Sequence, residues 1–163
     1  MKLKNFIAVG LVAAPAAAFA GSTLNGAGAT FPAPIYQRWF QDFASSTGNR
    51  VNYQSVGSGA GVRQFIAGTV DFAASDEPIK SSEASKVKRG VVQIPMVGGT
   101  IAIAYNNPGC KLKLTQKQTV DIFAGRIKDW KEVGCSGGVM KVVHRSDGSG
   151  TTFAFTNTSR PFD

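Results

Sequence analysis

Cysteine, histidine and acidic side chains are all scarce in this sequence. Of 163 residues, two are cysteine and one is histidine. Cys110, Cys135 and His144 show no zinc-ligand spacing, so no metal site is expected. Asp and Glu number 10 against 18 Lys and Arg, giving a formal charge of +8. A basic chain can bind nucleic acid, an anionic surface or small anions. Its cations are spread out with no run of five or more like charges, so nucleic acid is not an expected partner. Beyond residue 20, Gly, Pro and charges interrupt every apolar run. None reaches the roughly 20 residues that cross a bilayer. No glycine-rich turn ends in Gly-Lys-Ser/Thr, which excludes a P-loop nucleotide hydrolase, and no Gly-x-Ser-x-Gly nucleophile elbow is expected. Internal repeats are missing too. A secreted phosphatase would need a metal cluster or an activated nucleophile, and neither is read here; no cofactor is expected.

What is present begins with an export signal. Lys2 and Lys4 give a positive start, Phe6 to Val12 an apolar core, and Ala13 to Phe19 an alanine-rich extension. Ala18-Phe19-Ala20 is a small-x-small cleavage site, so residues 1–20 read as a signal peptide and the mature chain as starting at Gly21. No cysteine near that site offers a lipid anchor. The mature protein is expected to be soluble and periplasmic, with no membrane insertion. Export places Cys110 and Cys135 where a disulfide can form. A bridge between them is the expectation and two free thiols the alternative.

Strand and helix patterns alternate along the mature part. Ile35 to Phe43 sets Ile35, Trp39, Phe40 and Phe43 on one helical face, stopped at Thr47-Gly48-Asn49. Val51 to Ser55 alternates as a strand. Val62, Phe65 and Ile66 mark a second helix ending at Gly68, and Asp71 to Ala74 is a short buried strand. Ser81 to Arg89 reads as a polar helix and Thr115 to Ala124 as an amphipathic one. Val91 to Ile94, Thr100 to Tyr105 and Val139 to Val143 are β-branched and read as strands. The pattern predicts an α/β fold with a largely parallel sheet. A last helix starts near Thr151 and is cut short by Ser159-Arg160-Pro161-Phe162-Asp163.

Three turns share one design, each rich in Gly, Ser or Thr and each preceding a helix. They are Gly26-Ala27-Gly28-Ala29-Thr30-Phe31, Gly57-Ser58-Gly59-Ala60-Gly61 and Asp147-Gly148-Ser149-Gly150-Thr151. A helix N-terminus exposes N–H groups and partial positive charge, glycine permits close approach, and hydroxyls add donors. This is anion-binding chemistry, although any one such turn also serves as an ordinary cap. Arg145 precedes the third turn, with a planar fork suited to a tetrahedral oxyanion and with Asp147 placed to hold it. Asp76 is out of place beside an anion unless the anion carries a proton. Phosphate keeps a P–OH near neutral pH and sulfate keeps none, so a carboxylate accepts from the first and repels the second.

Gly26-Ala27-Gly28-Ala29-Thr30-Phe31-Pro32-Ala33-Pro34-Ile35-Tyr36 closely resembles the start of the periplasmic phosphate-binding proteins of ABC phosphate transporters, the PstS family. Val51-Asn52-Tyr53-Gln54 with Gly57-Ser58-Gly59, Asp71-Phe72-Ala73-Ala74-Ser75-Asp76, and Arg145-Ser146-Asp147-Gly148-Ser149-Gly150-Thr151 match in order. The resemblance runs from Leu24 to Thr156. It implies a two-lobed, type II periplasmic-binding-protein fold, incomplete in this chain. Residues 21–76 would open one lobe and 77–163 the other, both truncated. It implies a soluble protein, not an enzyme, that captures inorganic phosphate and delivers it to the membrane permease of an ABC transporter. The implied ligands are Thr30, Phe31 through its N–H, Ser58, Asp76 accepting the phosphate proton, Arg145, Ser149, Gly150 and Thr151, with Asp147 bracing Arg145. Arsenate, also protonated, is the alternative anion, and a non-binding truncated remnant the alternative role.

Overall fold

The computed structural model describes residues 21–158; the expected signal peptide and the abrupt ending after Thr158 lie outside the described residues. Three parallel strands form a sheet in the order β2-β1-β3: β1 (Thr23–Gly28), β2 (Arg50–Ser55) and β3 (Phe72–Ala74). Helix α1 (Ala33–Thr47) connects the first two strands and α2 (Ser58–Ala67) the second pair. After β3 come α3 (Ser81–Ala84), α4 (Gln116–Phe123), a 3-10 turn (Trp130–Val133) and α5 (Gly150–Thr158).

Helix α1 carries Pro34 in its first turn, where a missing N–H costs nothing, and ends on Gly48 at φ 74°. Its inward row is Tyr36 and Phe40. Tyr36 meets Tyr53 edge-on at 5.3 Å between ring centroids, and Phe40 meets Phe72 at 6.1 Å. Ile35, Trp39 and Phe43, expected on the buried face with Phe40, are instead exposed. One turn of i, i+4 spacing fits over the two aromatic strand residues, and Tyr36–Phe40 occupies it. Tyr53 Oη donates to the Ala29 carbonyl at 2.7 Å, tying this aromatic layer to the end of β1. Burial pushes the Tyr53 phenol well up, with Tyr36 and Asp76 adding to the shift.

The central strand, β1, is one that its composition hides. Thr-Leu-Asn-Gly-Ala-Gly has little β propensity. It is central because its glycines admit neighbours: a side chain at Gly26 would strike the Phe72 ring, one at Gly28 the Ala74 backbone, and one at Gly61 of α2 the Ala27 carbonyl.

Three expected strands do not form ladders among the described residues. Residues 91–94 and 100–105 run without strand pairing, and 139–143 contribute only an isolated antiparallel bridge, Asp129 to Val139. Val92 is 85% exposed, Val139 79% and Val143 87%. A β-branched run becomes a strand only beside another strand, and none stands beside these. The expected helix over Ser81 to Arg89 is also shorter, closing as turns after Ala84. Helix α4 forms as expected, with Thr115 and Gln118 exchanging N–H bonds in a capping box. Cys110 and Cys135 are joined, Cα to Cα 5.4 Å, closing a loop in which Trp130 lies against Tyr105 at 6.1 Å.

Candidate functional site

The three glycine-rich turns meet. The first leaves β1 by donating from Ala29 N–H to the Ala74 carbonyl at 2.8 Å, which sets Thr30 and Phe31 at the start of α1. The second turn is anchored to the first. Val56 and Gly57 N–H both donate to the Gly28 carbonyl, at 3.1 and 2.8 Å. Gly57 sits at φ 92°, a region that a side chain rarely tolerates, and delivers the buried Ser58 as the opening residue of α2. The third turn is held by Ser149, buried, whose Oγ accepts from Thr152 N–H at 3.1 Å as a helix cap.

Asp76 stands where they converge. Its N–H donates to Ser58 Oγ at 3.3 Å, and its Oδ2 accepts from Thr151 Oγ1 at 3.3 Å. A side chain at Gly150 would meet Ser58 Oγ at 2.5 Å and Asp76 Cβ at 2.7 Å, so the third turn is seated on the other two. Arg145 Nε donates to Asp147 Oδ1 at 2.8 Å while its Nη2 donates to Asp147 Oδ2, a two-pronged pair. That pair lies against Gly57, where an added Cβ would meet Arg145 Nη2 at 2.5 Å. The Asp147 hydrogen bonds, and then the Asp147 and Asp76 charges, hold the guanidinium protonated beyond its ordinary range; the same bonds pull the Asp147 carboxyl down.

A cavity of about 1110 Å³ opens beside this junction, with Thr30, Phe31, Asp76 and Thr151 in its lining together with apolar residues such as Phe65 and Ile94. Ser58, Arg145, Ser149 and Gly150 do not line the cavity; Ser58 and Gly150 pack on Asp76, while Arg145 lies against Gly57. The site therefore gathers three helix starts, whose first N–H groups have no partner within their own helices. It adds hydroxyls, one guanidinium and one carboxylate acceptor.

A different turn has the look of a catalytic motif. Gly134-Cys135-Ser136-Gly137-Gly138 has the Gly-x-Ser-x-Gly spacing of a hydrolase nucleophile elbow, which corrects the expectation that this spacing is absent. An elbow needs a strand running straight into a helix at the serine. Here the serine follows a 3-10 turn, its neighbour Cys135 is bonded to Cys110, and its carbonyl accepts from Asn107 Nδ2 at 2.8 Å. His144, the one histidine, lies against the Arg145 carbonyl.

The chain belongs to the PBP superfamily, whose domain model matches residues 13–160. It is 44% identical to the phosphate-binding protein PstS of Haemophilus influenzae over 169 aligned positions, 96% of this chain and 49% of that protein. It is likewise 44% identical to PstS of Pasteurella multocida, over 83% of this chain and 42% of that one. The chain spans about half the length of the curated relatives it matches. Among solved structures, a phosphate ABC transporter substrate-binding protein from Clostridium perfringens with bound phosphate is similar. Its TM-score is 0.67 at 25% identity, over 85% of this chain and 56% of that one. An ABC-type phosphate transport receptor from Vibrio cholerae aligns with TM-score 0.58 at 25% identity, over the same shares. Among the described residues, no helix is long and apolar enough to cross a membrane.

Proposed function

We propose that this chain captures inorganic phosphate in the periplasm for delivery to the permease of an ABC transporter, as a binding protein and not an enzyme. One observation carries the reading: Asp76, a carboxylate acceptor, is bonded to two donor-rich helix starts, those of α2 and α5, and lines one cavity with Thr30 and Phe31 at the start of α1. A fully ionised anion would be repelled there, while a protonated tetrahedral one gives its P–OH to the carboxylate. Ser58 Oγ accepts from Asp76 N–H, so its own proton is left for an oxyanion. Thr30 offers a hydroxyl and Phe31 its N–H; Ser149, Gly150 and Thr151 donate from the start of α5. Arg145, pre-oriented by Asp147, supplies the compensating charge. Residues 21–76 and 77–163 would belong to two lobes meeting at this junction. The exposed apolar runs over 91–105 and 139–143 lower the fraction of molecules able to bind, and affinity falls with that fraction.

Amide chemical-shift titration tests the reading. Phosphate and arsenate should move the Ser58, Gly150 and Thr151 signals, and excess sulfate should not displace them. No shift with phosphate, in a chain whose spectrum is folded, would leave the remnant reading standing. Equal displacement by sulfate would sink the role of Asp76.

A further inference from the structure

Gly59 and Gly148 are far apart in the chain and touch through their backbones. Gly59 N–H donates to the Gly148 carbonyl at 2.8 Å. A Cβ added at Gly59 would lie 2.9 Å from both the Cα and the carbonyl oxygen of Gly148, and one added at Gly148 would lie 3.1 Å from the Gly59 Cα. Neither glycine is among those with positive φ. The backbone at these positions would accept any residue; only the approach of the other strand of chain excludes one. This separates them from Gly57, which the turn conformation itself requires.

We propose that Gly59 and Gly148 form a backbone clasp that seats the third turn on the second, making both of them positioning residues for the anion site. The clasp joins the residue after Ser58 to the residue before Ser149. It thereby brings Gly150 onto Ser58 Oγ and Asp76, and Thr151 Oγ1 within reach of the Asp76 carboxylate. Its effect on phosphate rests on the capture reading above; the contact itself does not. Because the clasp closes the junction and donates nothing to the ligand, it should govern release more than capture.

Helix propensity makes the test sharp. Gly59 lies in the first turn of α2 without a positive φ, so alanine there should favour the helix if propensity alone acted. The clasp demands the opposite outcome at the site. Hydrogen exchange and proton–proton contacts are measured first, on the chain without anion. The Gly59 amide should be protected, and a Ser58–Gly150 contact should be seen. Gly59→Ala should abolish both, and Gly148→Ala should weaken both, while helix content stays level or rises. With phosphate present, dissociation should quicken by about tenfold in Gly59→Ala with association nearly unchanged. A Gly59 amide that exchanges freely in the unsubstituted chain overturns the clasp. So does a Ser58–Gly150 contact that survives Gly59→Ala, or an unchanged dissociation rate. If phosphate fails to bind while the anion-free contacts behave as described, the capture reading fails and the clasp stands.

Discussion

Residues 21–76 and residues 77–144 respond oppositely to the same rule of composition. The first region builds a parallel sheet around Thr-Leu-Asn-Gly-Ala-Gly, a segment poor in strand-forming residues. The second holds the β-branched runs at 91–94, 100–105 and 139–143, yet pairs none of them into a ladder. Neighbours, more than side-chain type, decide which segments become strands. In the first region α1 and α2 clamp the sheet, and glycines allow backbone, ring and helix to close in. In the second region order comes from a disulfide, a capping box and an ion-pair cluster. The site draws on the ordered first region and on a third turn that returns to it after the second.

The hardest blow to this contrast falls on Gly61. A leucine there would run into the Ala27 carbonyl and the Gly28 backbone, with no flexible side chain to give way. Overpacking typically costs about 1–3 kcal/mol and occasionally more; against rigid backbone the upper end is expected, and the thermal transition of the first region should fall steeply or disappear. A variant that melts like the parent would mean that α2 does not clamp β1.

The disulfide is of similar size. Its sequence separation of 25 corresponds to about 3.5 kcal/mol in the loop-entropy model. Removal of both cysteines should loosen residues 105–140 in hydrogen exchange and leave β1, β2 and β3 protected. Exchange that rises equally in both regions would show that they unfold as one. Mass spectrometry of exported protein without reductant should find no alkylatable thiol.

Acid should act on the second region through Asp121. Hydrogen bonds from Lys117 at 2.7 Å and Arg126 at 2.6 Å hold this buried carboxyl below its ordinary value. The folded value is the lower one, so the stabilisation is complete above the unfolded carboxylate value of about 3.9 and is lost as pH falls through the folded value. An acid titration of α4 followed by amide exchange should show this loss, and Asp121→Asn should flatten it. An unchanged acid limb in that variant would assign the loss elsewhere. The smallest effect is expected at Val143, 87% exposed, where Val143→Ser should change stability by no more than about 0.5 kcal/mol.

Much of this was legible from residue order. The stops at Gly48 and Gly68, the helix over 115–124 and the three glycine-rich turns all appear where the sequence places them. That the three turns would matter together was readable because helix starts advertise their hydroxyls and glycines locally. β1 was not readable, since a covered central strand can use glycine for approach where an exposed one needs branching. The inward row of α1 was misjudged because Ile35, Trp39 and Phe43 are as apolar as Tyr36 and Phe40, and only the rings of Tyr53 and Phe72 choose between them. Gly59 and Gly148 were read as turn residues, because a glycine needed for its neighbour is spelled the same as one needed for its own dihedral.

The two tryptophans of the chain fall one to each region. Trp39 rides exposed on α1, and Trp130 belongs to the loop that the disulfide closes, packs against Tyr105 outside that loop, and accepts at its carbonyl from the Cys135 N–H at 3.0 Å. The molecule thus carries its own pair of optical reporters. Replacing either indole by phenylalanine leaves a single tryptophan, so indole fluorescence excited beyond tyrosine absorption follows the sheet in one variant and the disulfide loop in the other, without any added dye.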